Sequence, residues 1–152
     1  MTLSFLRLNI GWNAEPNAPD PQVEVQGDDI ILAFYMNAFQ FPEFAEEERG
    51  YLRFVNCARY RIGPTNDEGW YRGQCRFSKI APDWGEFYEV SGDPKSCEGP
   101  TGWHVLSTDT SERHHFLFYL RDETFECLAG QCLVEPNNRN ALQRTAKTLT
   151  PL

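Results

Sequence analysis

Hydrophobic and polar residues alternate along most of this chain in short runs separated by turn-forming residues, the period of half-buried strands. Leu6, Leu8 and Ile10 are expected to share one face of a first strand. Pro16, Pro19 and Pro21, set among Asn13, Asn17 and Asp20, then mark a surface connection, because proline brings no N–H to a ladder. Val23 and Val25 lead into a tight turn at Gln26-Gly27-Asp28-Asp29, and Ile30, Leu32, Phe34 and Met36 follow on one face, the signature of a β-hairpin. From Phe39 to Gly50 the chain is read as a loop with one helical turn. Its acids Glu43, Glu46, Glu47 and Glu48 extend too far towards the C-terminal end for a helix dipole to favour them.

The longest predicted strand runs from Tyr51 to Ile62, with Leu52, Phe54, Ala58, Tyr60 and Ile62 on one side. A turn-rich loop from Gly63 to Gly69 precedes Tyr71, Cys75 and Phe77, which alternate with Arg72, Gln74 and Arg76. Further strands are predicted at Glu86–Val90, Trp103–Leu106, His114–Leu120 and Thr124–Ala129. Eight or nine short strands joined by turns predict a mostly β, single-domain antiparallel β-sandwich or β-barrel over residues 1–136. Residues 137–152 change character. They hold Arg139, Arg144 and Lys147 with no acid, and Leu142, Ala146 and Leu149 recur at helical spacing. A C-terminal tail or short helix against the body is expected there.

Length and composition agree with a single core. A chain of 152 residues buries roughly 70% of the surface it would expose unfolded. Eleven Phe, six Tyr and four Trp supply the material for its interior. The formal net charge of −8 repels phosphate and anionic lipid, so neither a nucleic acid nor a membrane is an expected partner. The first residues show no apolar run of export length, and Arg7 and Asn9 interrupt their hydrophobic neighbours. Five cysteines form no dense framework, so reduced thiols and a cytoplasmic location are expected.

Motifs that carry chemistry are absent. The chain has no nucleophile elbow and no phosphate-cradling glycine loop. His114 and His115 are adjacent on one strand and point to opposite faces, Cys127 and Cys132 have no second pair, and no metal site or cofactor is expected. Asn66-Asp67-Glu68-Gly69 lacks the alternating ligands of a calcium loop and reads as a turn. A free thiol nucleophile at Cys57 or Cys127 would need a histidine beside it.

One cluster stands apart. If Tyr51–Ile62 and Trp70–Phe77 pair as a hairpin with their apolar residues on one face, the other face carries Arg53, Arg59, Arg61, Arg72 and Arg76. Like charges across strands repel, so acids of the same chain, a bound anion or the acidic face of a partner must neutralise them. The leading functional expectation is a non-enzymatic binding protein, for example an inhibitor of a basic protein partner, because the charge is strongly acidic and catalytic signatures are missing. The alternatives are a small-ligand-binding β-barrel and an enzyme without a recognisable motif. For the last, Arg59, Arg61, His114 and Glu126 are the first residues to inspect.

Overall fold

A computed structural model of the chain describes residues 3–63, 83–92 and 102–134. They form ten strands: β1 (Ser4–Arg7), β2 (Gln22–Gln26), β3 (Asp29–Tyr35), β4 (Arg49–Val55), β5 (Arg59–Gly63), β6 (Phe87–Ser91), β7 (His104–Val105), β8 (His114–Tyr119), β9 (Thr124–Ala129) and β10 (Gln131–Val134). The strands build two antiparallel sheets, one ordered β1-β6-β8-β9-β5-β7 and the other β10-β4-β3-β2. This is a β-sandwich, not a closed barrel. No helix among the described residues is long and apolar enough to cross a membrane.

The predicted hairpin is present. Gly27 and Asp28 join β2 to β3, with Gln26 opposite Asp29 and Val25 opposite Ile30. Gly27 has a φ of 62°, and a positive φ at the first central position is the mark of the II′ turn that suits a two-residue hairpin. Alternation on β3 sends Ile30, Leu32 and Phe34 inward.

The predicted strand from Tyr51 to Ile62 is not one strand. It breaks at Asn56, whose φ is 57°, and its halves belong to different sheets. β4 lies between β3 and β10, whereas β5 lies between β9 and β7. Its antiparallel partner bends at the same level, because β9 pairs with β5 and β10 pairs with β4. Val55 faces Gln131 and Arg59 faces Leu128. Three residues on one side thus oppose two on the other, the extra residue of a β-bulge, which bends the strand. Hydrogen bonds from Gly130 N to Val55 O (2.9 Å), Ala58 N to Leu128 O (2.8 Å) and Cys57 N to Asp28 O (2.8 Å) hold the corner. Asp29 fastens it further, accepting from Asn56 N at 2.9 Å and from the Arg53 guanidinium at 3.0 Å.

Trp12, Phe34, Phe54, Phe87, Phe116, Phe118 and Phe125 fill the space between the sheets. Trp12 stacks on Phe34 at 5.8 Å and meets Phe118 edge-on at 6.2 Å. Each such pair contributes about 0.5–1.5 kcal/mol beyond area burial. Gly50 faces Phe34 across the β3–β4 ladder, where a Cβ would press on Met36 Sδ and come within 3.2 Å of the Phe34 ring. A second apolar cluster lies on the far face of the six-stranded sheet, where Tyr88, Val90, Leu117 and Tyr119 meet Leu3, Phe5 and Trp84.

That second cluster corrects the first predicted strand. Phe5, not Leu6, faces apolar neighbours, through a T-shaped contact with Tyr88 at 5.8 Å. Leu6 and Ile10 are exposed and only Leu8 enters the core. The chain turns after Arg7 because buried Asn9 donates to Trp12 O and to Glu86 and accepts from Phe87 N. The segment predicted as a loop with a helical turn contains turns and no helix, and β4 already starts at Arg49. β10 was not predicted. Residues 70–77 and 137–152 lie outside the described residues, and with them Arg72, Arg76 and the predicted C-terminal helix.

Candidate functional site

The structure parts the arginines of the described chain. Arg53 lies on β4 in the four-stranded sheet and donates to Asp29 Oδ2 at 3.0 Å and to Gln26 Oε1 at 2.9 Å. Arg59 and Arg61 lie on β5 in the other sheet. The Arg59 guanidinium sits 4.7 Å from the centre of the Trp103 ring, a cation–π contact. Arg61 stands directly across from Glu126 and donates to its Oε2 at 3.3 Å. The sheet-switching corner at residues 56–58 therefore puts Arg53 on a different ribbon from Arg59 and Arg61. Acids of the same chain neutralise Arg53 and Arg61.

Glu126 is fully buried, and its other oxygen lies 2.9 Å from Nε2 of buried His115. Register explains the choice of histidine. His115 faces Leu128 on β9, so Glu126 is its diagonal neighbour two residues away on the same face. His114, the histidine singled out from the sequence, points the other way and meets Glu89 at 3.1 Å. Gly63 completes the arrangement, because a Cβ there would come within 2.6 Å of the Arg61 guanidinium. The side chain of Arg61 thus lies down over Gly63 to reach Glu126. With one oxygen on the Arg61 guanidinium and the other on the His115 ring, Glu126 works as an internal counter-ion to Arg61 beneath the sheet's outer face.

The thiols among the described residues are packing groups. Cys57, Cys127 and Cys132 are buried and free. Burial pushes the Cys127 and Cys132 thiols well up, and for Cys127 a hydrogen bond with Cys57 adds to the effect. A protonated, enclosed thiol is a poor nucleophile. Among the described residues no group of three His, Cys, Asp or Glu side chains is placed to hold a metal ion.

A different feature, absent from the sequence-based expectations, lies in the connection between β3 and β4. Residues 38–48 contain no lysine or arginine, and they carry Glu43, Glu46, Glu47 and Glu48. Phe44 is drawn into the core and Phe41 packs against it, while Phe39 between the strand and those anchors is fully exposed. The connection is braced from within. Buried Asn37 accepts from Gln40 N at 3.0 Å, and Glu48 Oε1 accepts from Ala45 N at 2.9 Å. Met36, Ala38, Phe39, Pro42 and Phe44 line a cleft of about 490 Å³, and Glu15, Glu46 and Glu47 rim it. Arg49, the next cation along the chain, is held by Asp20 at 2.7 Å and lies over the Tyr35 ring. A spent cation and an exposed aromatic beside several carboxylates suit recognition of a positively charged surface.

A broader groove, about 660 Å³, runs over the outer face of the four-stranded sheet between Arg49, Tyr51, Arg53 and Glu24. Its two arginines are bound to Asp20 and Asp29, which reduces its pull on a free anion.

The architecture and this end of the molecule define an acidic β-sandwich with an exposed aromatic at its most acidic connection. Comparisons with known protein families, with curated proteins and with solved structures gave no match.

Proposed function

We propose that this protein is a non-enzymatic binding module for a basic protein partner, engaged through the acidic cleft around Phe39. The observation that carries the reading is the full exposure of Phe39 in a connection that holds four glutamates and no cation. Aromatic side chains are enriched among the anchors of binding surfaces, and the surrounding carboxylates steer and select a cationic counterpart. The bracing by Asn37 and Glu48 adds to the argument, since a connection ordered before binding loses less entropy on contact. The chain's net charge of −8 favours the same partner at long range.

The enzyme reading gains little, because the buried carboxylate Glu126 is committed to Arg61 and His115. The ligand-carrier reading loses its barrel, and aromatic rings occupy the space between the sheets.

The test is capture of partners from native lysate by the wild-type chain and by a Phe39→Ser, Glu46→Gln, Glu47→Gln variant, followed by reconstitution with the purified partner. The expected result is a basic protein retained by the wild type, lost with the variant and weakened steeply by salt. Capture that the variant leaves unchanged, or a partner without basic character, overturns the proposal.

A further inference from the structure

β2 forms one edge of the four-stranded sheet, and among the described residues nothing pairs with its outer side. The outward backbone groups can be assigned. On β3, Tyr35 N donates to Pro19 O, on the β2 side of the sheet. By alternation Ala33, Ile31 and Asp29 also point that way, so their partners Gln22, Glu24 and Gln26 spend their N–H and C=O on β3. The N–H and C=O groups of Val23 and Val25 are left facing outward. Their side chains lie on the core side of the sheet, where Val23 packs against the core and Val25 is 45% exposed. Proline and lysine, the common guards of an open edge, are missing from the strand itself.

The order of side chains is symmetric, Gln-Val-Glu-Val-Gln. An antiparallel second copy centred on Glu24 would match valine with valine and glutamine with glutamine. It would also set the two Glu24 carboxylates against each other in a non-hydrogen-bonded pair, the closer of the two kinds, with Cα atoms about 4.5 Å apart. The neighbouring cation offers no relief: Arg53, two strands away on the same row, is bound to Asp29 and Gln26. One carboxylate at the centre therefore disfavours self-pairing and favours a strand with a cation in that place.

We propose that β2 is a strand-docking edge for an extended segment of a basic protein partner, with an apolar–cation–apolar sequence that sets its lysine or arginine opposite Glu24. This inference rests on the reading that the partner is basic, and it specifies how part of that partner is held. Backbone pairing to Val23 and Val25 supplies the register, their side chains supply apolar cover, and Glu24 selects the charge.

The protein itself provides the probe. In a Glu24→Lys variant β2 becomes an apolar–cation–apolar strand of the right length and symmetry. Wild type and Glu24→Lys, each alone, are expected to sediment as monomers, whereas their equimolar mixture forms a 1:1 complex at least about tenfold tighter than either self-association. A Val25→Pro substitution, which removes one outward N–H, is expected to abolish that complex. Circular dichroism checks that each variant is folded, and Glu24→Arg replaces Glu24→Lys if the latter is not. A mixture that stays monomeric overturns the proposal, as does equal association of every combination or a complex indifferent to Val25→Pro. Failure here leaves the Phe39 capture experiment unaffected, because that experiment alters a different connection.

Discussion

Asp29 and Asn56 sit 27 positions apart in the chain, and the carboxylate of the first accepts the backbone N–H of the second at 2.9 Å. This bond ties the end of the β2–β3 turn to the residue at which the chain leaves one sheet for the other. The second oxygen of Asp29 takes the Arg53 guanidinium, so a single side chain serves the corner and an arginine on the strand before it.

Asp29→Ala is accordingly expected to destabilise the fold by about 1 kcal/mol, since it removes a hydrogen bond to the exposed Asn56 amide and a partly buried ion pair. Asp29→Asn, which keeps an acceptor, should lose less. Urea unfolding midpoints at constant slope would show the ordering, and equal losses for both variants would contradict it.

Gly50→Ala tests the packing beneath β4. The added methyl must displace Met36 or Phe34, both fully enclosed, and overpacking of this kind costs about 1–3 kcal/mol. Thermal unfolding is expected at a clearly lower temperature than in the wild type. An unchanged midpoint would mean that the core gives way more easily than its rings suggest.

Glu126→Ala removes the carboxylate that Arg61 and His115 share and is expected to cost about 3 kcal/mol. Gly63→Ala acts on the same group from above by pushing the Arg61 guanidinium off its bed. If Gly63 matters through Arg61, its effect should largely vanish in an Arg61→Ala background, a double-mutant cycle that separates this cause from backbone stiffness.

Stability should also carry the mark of Glu86. Burial is the largest influence on its carboxyl and raises its affinity for a proton, against the opposing hydrogen bond from Asn9 and the charge of Arg7. The folded state then holds this proton more tightly than the unfolded state does. Stability contributed by the group is present below the ordinary glutamate value and declines as pH rises through the raised one. Glu86→Gln should flatten that decline, so the wild type loses stability relative to the variant as pH increases across this window. A gap that stays constant with pH would count against the assignment.

Much of the architecture was legible because alternation is local. The β2–β3 hairpin and strands β6, β8 and β9 follow from residue order and from turn residues such as Gly27. The bend at Asn56 was not, because Leu52 and Phe54 before it and Tyr60 and Ile62 after it keep the same in-and-out rhythm; only an asparagine, tolerant of positive φ, stands at the break. β10 is hidden for the same reason in reverse. Gly130 interrupts a run that in fact continues around the corner. At the level of side chains, the sequence offered His114 where register selects His115, a choice that depends on which residue of β9 lies opposite. Phe39 was invisible as a surface residue because nothing local distinguishes it from Phe41 and Phe44, which turn inward.

The doubled bend at Asn56 and Gly130 makes one antiparallel ribbon common property of both layers. Neither layer can peel away without breaking hydrogen bonds in the other. Amide protons on β4, β5, β9 and β10 should therefore share one opening free energy in hydrogen exchange, and the layers should be lost in a single event, whatever the edges do beforehand.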